Sequence, residues 1–255
     1  MAAAVVDRDG LVLFLEGAYP DMDKEFSPLF RQSVECTAAS AERLYALYLA
    51  IRYLAAAEVP GDVVECGVWR GGNCMLAALT LMALGDDTRH VWLYDTFSGM
   101  TEPSDRDRDV YGGAARDMRR DSFSDEGRPA PFQFVASLDD VKANIARTGF
   151  PDDRVNYVEG RVEDTLPDVR PDRIALLRLD TDWYESTAHS MRQLYPLLSP
   201  GGVLLLDDYG DWPAVREAIH ECLDDLGEAV LLHRIDNTGR IAIRPTTPAG
   251  SRSRG

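Results

Sequence analysis

Short apolar runs alternate with amphipathic segments along most of the chain. The runs are continuous, and they predict strands at 62–66, 90–95, 155–158, 174–180 and 202–207. Around them, apolar residues recur at helical spacing and predict helices at about 38–57, 72–84, 138–148, 185–198 and 213–226. Strands that are apolar throughout are typical of a parallel sheet covered on both faces, so we expect an α/β protein with helices on both sides.

The pattern changes at both ends of the chain. Residues 229–234 and 240–244 flank an Asp-Asn-Thr-Gly sequence with the turn chemistry of a hairpin, which predicts an antiparallel end to the sheet. Residues 1–35 are predicted to be irregular, with two prolines acting as breakers. Residues 245–255 are predicted to be a disordered tail.

One internal segment, residues 100–136, contains no periodic pattern. It holds eight acidic and six basic residues together with several glycines and prolines. Long insertions without structure of their own are usually either functional or disordered. Two interpretations therefore stay open, a lid over the substrate and a passive surface excursion.

Composition narrows the class of protein. The 255 residues are 45% hydrophobic and 27% charged, as in an ordinary globular protein, and their formal net charge is −16. Nucleic acids and anionic membranes attract basic surfaces, so neither is expected as a partner. The start of the chain does not resemble a secretory signal, and no apolar stretch approaches the length of a transmembrane helix. The four cysteines show no CxxC spacing, so we expect reduced core thiols in a cytoplasmic protein.

Ligands of open α/β sheets bind outside the carboxyl ends of the strands, which makes the residues after each strand the candidates. The turn at 65–73 is glycine-rich but lacks GxGxxG, because Trp69 stands where a glycine would let the backbone approach a pyrophosphate. This disfavours a nicotinamide-dependent dehydrogenase. The turn, with Gly67, can instead cradle a nucleoside, while Glu65 holds an ammonium group and the amides near Asn73 face a carboxylate. The alternative is a tight turn that needs glycine for backbone reasons alone.

The next two strands end in further candidates. Asp95 closes the second strand, where an acidic side chain can accept hydrogen bonds from both hydroxyls of a ribose. After the third strand, Val162 can pack on a purine, and Glu163 or Asp164 can accept from its exocyclic amine. Both sets of candidates also have an explanation without a ligand. Asp95 is then an exposed acid at a strand end, and Glu163 and Asp164 are acids at a helix N-terminus, where the helix dipole favours them. The turn and Asp95 together favour nucleoside binding.

Four carboxylates follow the fourth and fifth strands, at Asp180, Asp182, Asp207 and Asp208. Adjacent parallel strands bring such ends close together, where the acids repel one another unless a cation is bound. Oxygen ligands without His or Cys favour Mg²⁺ and argue against zinc. The alternative is two unrelated acidic strand ends.

Six segments of the chain form a specific set: ERLYALYLAIRYL (42–54), GDVVECGVWRGGN (61–73), DTFSGM (95–100), RLDTDWYEST (178–187), LYPLLSPGG (194–202) and LLLDDY (204–209). Together they resemble the macrocin/mycinamicin O-methyltransferase family, whose members use S-adenosylmethionine to methylate sugar hydroxyls of natural products. The resemblance covers roughly residues 37–244. It implies a class I methyltransferase fold, a Rossmann-like seven-stranded sheet that is mostly parallel, with its last strand antiparallel.

The resemblance also implies roles for single residues. It places Mg²⁺ on Asp180, Asp207 and Asp208, makes Asp180 the catalytic base, and leaves the role of Asp182 open. The residues expected to bind S-adenosylmethionine are Glu65, Gly67, Asn73, Asp95, Val162 and Glu163. We further expect a small-molecule glycoside as substrate and a homo-oligomer, either a dimer or larger.

The expected organisation has three parts. An N-terminal helical or lid segment covers 1–60, a methyltransferase domain with the insertion 100–136 covers 61–244, and the tail covers 245–255. Two other functions remain possible from the sequence. A metal-dependent catechol or phenol O-methyltransferase would share the cofactor and the metal but not the acceptor. A non-catalytic cofactor-binding protein would not need the carboxylate cluster, so the aspartates argue against it.

Overall fold

One seven-stranded sheet flanked by helices makes up the part of the chain that the structure describes. The computed structural model describes residues 17–118 and 134–246. The strands are β1 (Asp62–Cys66), β2 (Val91–Asp95), β3 (Val155–Glu159), β4 (Ile174–Leu179), β5 (Leu198–Leu206), β6 (His233–Arg234) and β7 (Arg240–Ile243). The α-helices are α1 (Phe26–Ser33), α2 (Ala41–Ala56), α3 (Gly72–Leu84), α4 (Leu138–Ala146), α5 (Val162–Thr165), α6 (Tyr184–Leu194) and α7 (Pro213–Asp225).

The strand order is β3-β2-β1-β4-β5-β7-β6. Strands β1 to β5 pair in parallel, whereas β7 pairs antiparallel with both β5 and β6. The chain extends the sheet to one side of β1 through β2 and β3, and then to the other side through β4 and β5. The ends of β1 and β4 therefore meet at a topological switch point, where sheets of this kind bind ligands. The predicted fold, with its C-terminal hairpin, is confirmed.

Both faces of the sheet are buried, which explains the continuous apolar runs. On β5, Val203 and Leu205 pack into one core, and Leu204 and Leu206 pack into the other. Successive side chains of a strand point to opposite faces, so each face receives every second residue. Helices α1 to α4 contribute to the first core and α5 to α7 to the second. The N-terminal helices thus share a core with the sheet.

Two expectations from composition agree with the structure. The four cysteines are free and buried, as predicted for core thiols. Within the described ranges, every helix is too short or too polar to cross a lipid bilayer. The predicted disordered tail at 245–255 lies almost entirely outside the described residues.

The prediction of an irregular N-terminal segment is wrong for residues 26–33, which form α1. Pro28 is the third residue of this helix. A proline is tolerated there, because the amides of the first helical turn have no partner within the helix. Phe26 and Phe30 lie one turn apart, and both are buried. The Phe26 ring packs 5.4 Å from that of Tyr48 on α2, so tertiary packing stabilises the short helix.

The helix predicted at 185–198 ends early, at Leu194. Pro196 has no amide to continue the helix, and a 3₁₀ turn leads directly into β5 at Leu198. The strand predicted to begin at residue 202 therefore begins four residues earlier. A register shift against β4 accommodates the Pro-Gly-Gly sequence at its start.

The first strand of the predicted hairpin is also shorter than expected. Residues 229–234 pair with β7 only at His233–Arg234. The preceding side chains of Val230 and Leu232 pack against the second core instead of extending the sheet edge.

Candidate active site

A cleft of about 560 Å³ opens at the carboxyl ends of the strands. Its size suits a small-molecule ligand. All of the predicted site residues except Glu65 line it: Gly67, Asn73, Asp95, Val162, Glu163, Asp180, Asp207 and Asp208. The parallel strands thus bring together, at one edge of the sheet, residues that are more than a hundred positions apart in sequence. This is where ligands of such sheets bind.

Backbone pairing continues one residue past the strands and brings their ends together. The Asp180 amide donates to the Cys66 carbonyl over 2.9 Å, and the Asp207 amide donates to the Leu179 carbonyl over 3.0 Å. Gly67, next in the chain after β1, has a φ of +82°. A Cβ at this position would strike the backbone carbonyl of Asp180. Gly67 is therefore required by the close approach of these two strand ends.

Asp95 organises the glycine-rich turn. Its Oδ2 accepts hydrogen bonds from the amides of Val68 (2.7 Å) and Trp69 (3.0 Å). Its Oδ1 accepts one from the amide of Phe97 over 2.8 Å. A carboxylate offers about four lone-pair positions, and the three amides occupy three of them. The Thr96 hydroxyl lies 3.4 Å from Oδ1 but donates to the Gly99 carbonyl over 2.6 Å, so about one position on Oδ1 remains for a ligand hydroxyl. The same contacts help to hold Trp69 at a φ of +48°, which is uncommon for a residue other than glycine.

Val162 and Glu163 lie at the start of α5 and face the cleft, whereas Asp164 does not line it. The Oε2 atom of Glu163 is buried and accepts no hydrogen bond from the described residues, although the Arg161 Nε lies 3.5 Å away. A buried acceptor without a donor is costly unless a ligand supplies one. Glu163 therefore has the position and the unused capacity to accept from an amine.

Glu65 lies beneath the cleft and is only 3% exposed. Its Oε1 accepts from Arg178 Nη1 over 2.5 Å and from the side-chain Nδ2 of Asn73 over 3.1 Å. Its Oε2 accepts from the Cys74 thiol over 2.7 Å. Burial raises the pKa of Glu65 and the charge of Arg178 opposes the rise. All these partners are internal, so the ammonium contact predicted for Glu65 stays a prediction, while Asn73 itself lines the cleft.

The carboxylate cluster lines the same cleft. Asp180, Asp207 and Asp208 each place an oxygen so that the three atoms lie within 4.8 Å of one another. Burial and the charge of Asp207 raise the pKa of Asp180 to about 7. Burial and repulsion from Asp182 raise the pKa of Asp208 well above its usual range. A divalent cation would relieve this repulsion, and carboxylate oxygens are the ligands that Mg²⁺ takes, so the cluster fits the expected metal.

Asp182 lies beside this cluster but is not among the three grouped residues. Its amide donates to Asp208 Oδ2 over 3.1 Å, and its φ is +60°. Burial and the charges of Asp180 and Asp207 raise the pKa of Asp182, and a hydrogen bond from Trp212 opposes the rise. The backbone of Asp182 thus orients a predicted metal ligand, whatever its carboxylate does.

The insertion is described at residues 100–118 and 134–136, and its first part is attached to the rest of the protein. Asp107 is 1% exposed and accepts from the amides of Ser104 (2.7 Å) and Tyr184 (2.9 Å). The amide of Val110 donates to the carbonyl of Asp211 over 3.1 Å. Val110 and neighbouring residues line the cleft, which favours the lid interpretation over the passive one. Residues 119–133 lie outside the described ranges.

Comparison with known proteins identifies the family. Residues 27–243 match the macrocin-O-methyltransferase (TylF) family. The chain belongs to this family of O-methyltransferases. A tetracenomycin-C 4'-O-methyltransferase of Streptomyces olivaceus, which acts on a 2,3-dimethoxy-rhamnosyl form, is 36% identical over 226 residues, 89% of this chain and 82% of that protein. The mycinamicin III 3''-O-methyltransferase of Micromonospora griseorubida is 38% identical over 181 residues, 71% of this chain and 67% of that protein.

Solved structures agree with this assignment. The O-methyltransferase NovP has a TM-score of 0.71 and 30% sequence identity, over 93% of this chain and 98% of that one. The calicheamicin methyltransferase CalS11 has a TM-score of 0.60 at 18% identity, over 92% and 91% of the two chains, and shows likeness of fold alone. The predicted family, the predicted fold and the prediction of an O-methyltransferase are confirmed.

Sequence reasoning missed two arginines in the site of this O-methyltransferase. Arg178 is 4% exposed; its Nη1 donates to Glu65 and, over 3.0 Å, to Asp180, and its Nη2 donates to Asp207 over 2.5 Å. A charged residue in the apolar run of β4, two positions before Asp180, was a signal for it. Arg43 of α2 donates from Nη1 to the other oxygen of Asp207. No local pattern indicates that contact, because 164 positions separate the two residues.

Proposed function

We propose that this O-methyltransferase transfers a methyl group from S-adenosylmethionine to a sugar hydroxyl of a glycosylated natural product and uses Mg²⁺ to do so. The observation that carries the proposal is one cleft lined both by a nucleoside-type set of residues and by the carboxylate cluster. The acceptor class is supported by the relatives, whose names specify tetracenomycin and mycinamicin substrates.

In the cofactor site, Asp95 would accept a hydrogen bond from a ribose hydroxyl through the lone-pair position left on Oδ1. Val162 would pack on the adenine, and Oε2 of Glu163, which accepts no hydrogen bond from the described residues, would accept from the adenine amine. Gly67 and Asn73 line the part of the cleft expected for the amino-acid end. Glu65 would contribute indirectly, because it accepts a hydrogen bond from the side-chain amide of Asn73 and so orients that residue.

Next to the site proposed for the sugar hydroxyl, Mg²⁺ would be held by Asp180, Asp207 and Asp208. When bound, S-adenosylmethionine supplies the methyl group and Mg²⁺ lowers the pKa of a coordinated hydroxyl. Asp180 would receive the hydroxyl proton. Arg178 donates to its Oδ2, and Oδ1 accepts no hydrogen bond among the described residues, so Oδ1 is the atom that can take the proton. Trp183 and Trp212, whose rings pack 5.2 Å apart, line the cleft beside Asp180 and help to exclude water.

The direct test is methyl transfer to defined acceptors, followed by mass spectrometry. Glycosides of the tetracenomycin or mycinamicin type should gain one methyl group in the presence of S-adenosylmethionine and Mg²⁺, and caffeate should not. EDTA should abolish turnover, and added Mg²⁺ should restore it. Methylation of caffeate but of none of the glycosides would favour the catechol-type alternative. Full activity in EDTA would remove the metal from the proposal.

The proposed location is the cytoplasm, which is supported by the four free cysteines. The proposed assembly is a homo-oligomer, either a dimer or larger, and this part rests on the family resemblance. Light scattering after size-exclusion chromatography measures the mass directly, and a monomer at micromolar concentration would contradict it.

A further inference from the structure

Arg43 connects three elements that are distant in sequence. It lies in the first turn of α2, just after residues 37–39, which line the cleft. Its guanidinium donates to Asp207 at the end of β5, to Asp236 over 2.7 Å and to the Thr238 hydroxyl. Asp236 and Thr238 belong to the turn between β6 and β7, so one side chain joins α2, the hairpin and the carboxylate cluster.

The hairpin side of this connection is itself fixed. Asp236 Oδ1 accepts from the amides of Thr238 (3.0 Å) and Gly239 (2.7 Å), and its Oδ2 also accepts from the Ser40 hydroxyl over 2.8 Å. Burial alone would raise the pKa of Asp236, but these hydrogen bonds and the charge of Arg43 lower it. Arg43 is thus bound to a turn that is itself held by hydrogen bonds, and from there it contacts Asp207.

The two arginines together determine how Asp207 is oriented. Arg178 donates to Oδ1 over 2.5 Å and Arg43 donates to Oδ2, so each carboxylate oxygen has one charged donor. Each oxygen then keeps about one lone-pair position for another ligand. Arg178 is held by Glu65 and Asp180, and Arg43 is held by Asp236, so the plane of the Asp207 carboxylate is fixed from both sides.

We propose that Arg43 is a positioning residue that orients Asp207 for metal binding and couples the metal site to the β6–β7 turn. The inference rests on the proposed function, because it takes Asp207 as a metal ligand. Coulomb attraction alone would predict that loss of Arg43 strengthens cation binding, since a positive charge leaves the site. Loss of orientation predicts the opposite, because partners that hold a metal ligand are typically worth 10–100-fold in metal affinity. The charge of Arg43 is already balanced by Asp236, which favours the second effect.

The test measures Mn²⁺ binding by electron paramagnetic resonance, in the full-length protein without cofactor. Mn²⁺ shares the preference of Mg²⁺ for oxygen ligands. Arg43→Gln should weaken Mn²⁺ binding about 10–100-fold. Arg43→Lys keeps the charge but cannot contact Asp207 and Asp236 with one planar fork, so it should weaken binding to an intermediate extent. The matched control is Arg52→Gln, on the same helix, where Arg52 forms an exposed pair with Asp23. It should leave binding unchanged.

Calorimetry with S-adenosylhomocysteine separates positioning from damage to the whole cleft. All three variants should bind it as the wild type does, because Arg43 donates to Asp207, Asp236 and Thr238 and to none of the residues proposed to bind the cofactor. Unchanged or tighter Mn²⁺ binding by Arg43→Gln, wild-type binding by Arg43→Lys, or joint loss of both ligands would each overturn the proposal. A wild-type protein that binds S-adenosylhomocysteine but not Mn²⁺ would instead refute the metal site of the proposed function, and the role of Arg43 with it.

Discussion

Arg178 lies two positions before Asp180, and its Nη1 donates to Asp180 Oδ2 over 3.0 Å. Alternate residues of an extended chain point to the same face, so the spacing itself places the guanidinium beside the carboxylate. The same nitrogen contacts Glu65, and the other terminal nitrogen contacts Asp207. A buried arginine thus holds the proposed base and a proposed metal ligand in a fixed relation, while the base keeps one oxygen free for a proton.

This arrangement predicts different defects for the aspartates of the cluster. Asp208→Asn removes ligand charge but not the base, so raising Mg²⁺ should partly restore its activity by mass action. Asp180→Asn removes a ligand and the proton acceptor together. It should lose about 10²–10⁴-fold in kcat, the usual scale for a general base, and high Mg²⁺ should not restore it. Initial rates measured against Mg²⁺ concentration distinguish the two.

Asp182→Asn is the matched control, because Asp182 is half-buried beside the same cluster but lies outside the grouped ligands. Its backbone contact with Asp208 survives the substitution, so the defect should be mild. If Asp182→Asn were inactive while Asp180→Asn stayed active, the catalytic base would be Asp182 and not Asp180.

The residues proposed to bind the cofactor give a second prediction. Asp95→Ala should weaken binding of S-adenosylhomocysteine by about 1.5–3 kcal/mol, the scale of hydrogen bonds to a charged group. Glu159→Gln is the control, since Glu159 pairs with Asp95 in the β2–β3 register but is exposed and does not line the cleft. Calorimetry without metal measures both. Wild-type affinity in Asp95→Ala would remove the ribose assignment.

Much of the site could be predicted because strand ends obey a simple topological rule. Asp95, Asp180 and Asp207 each follow a short apolar run, and parallel strands bring such positions to one edge. Arg43 obeys no such rule, since its position depends on how α2 packs on the finished sheet. The helix at 26–33 was missed for a related reason, because buried contacts of Phe26 and not a long periodic pattern stabilise it.

The insertion provides a third prediction. Asp107→Ala removes the acceptor that joins residues 101–118 to the start of α6, and it leaves the buried amide of Tyr184 without its partner. Limited proteolysis should cut this segment faster, and the KM for the glycoside should rise while affinity for S-adenosylhomocysteine stays unchanged. Asp105→Ala is the control, because the Asp105 side chain is 91% exposed. Equal cleavage rates in the two variants would show that Asp107 does not hold the segment.

A last prediction concerns stability away from the cleft. Glu228 accepts from Arg244 Nη2 over 2.5 Å and from the Tyr195 hydroxyl over 2.7 Å, and Arg244 also donates to carbonyls at the start of β5. Burial alone would raise the pKa of Glu228, but the hydrogen bonds from Arg244 and Tyr195 outweigh burial and lower it. A carboxyl group whose pKa is lower in the folded state stabilises the protein above its unfolded pKa, which for glutamate is about 4.3. That stabilisation is lost as pH falls through the folded value.

Glu228→Gln should therefore lower the free energy of unfolding by about 1.5–3 kcal/mol at neutral pH. The difference from the wild type should shrink as the pH falls below about 4, where the wild-type carboxyl becomes protonated too. Urea unfolding at a series of pH values measures it, with Asp224→Asn, at an exposed position near the end of α7, as the control. The free energy of unfolding of Glu228→Gln could instead differ from that of the wild type by the same amount from neutral pH to pH 3. That result would show that the charge of Glu228 does not stabilise the fold.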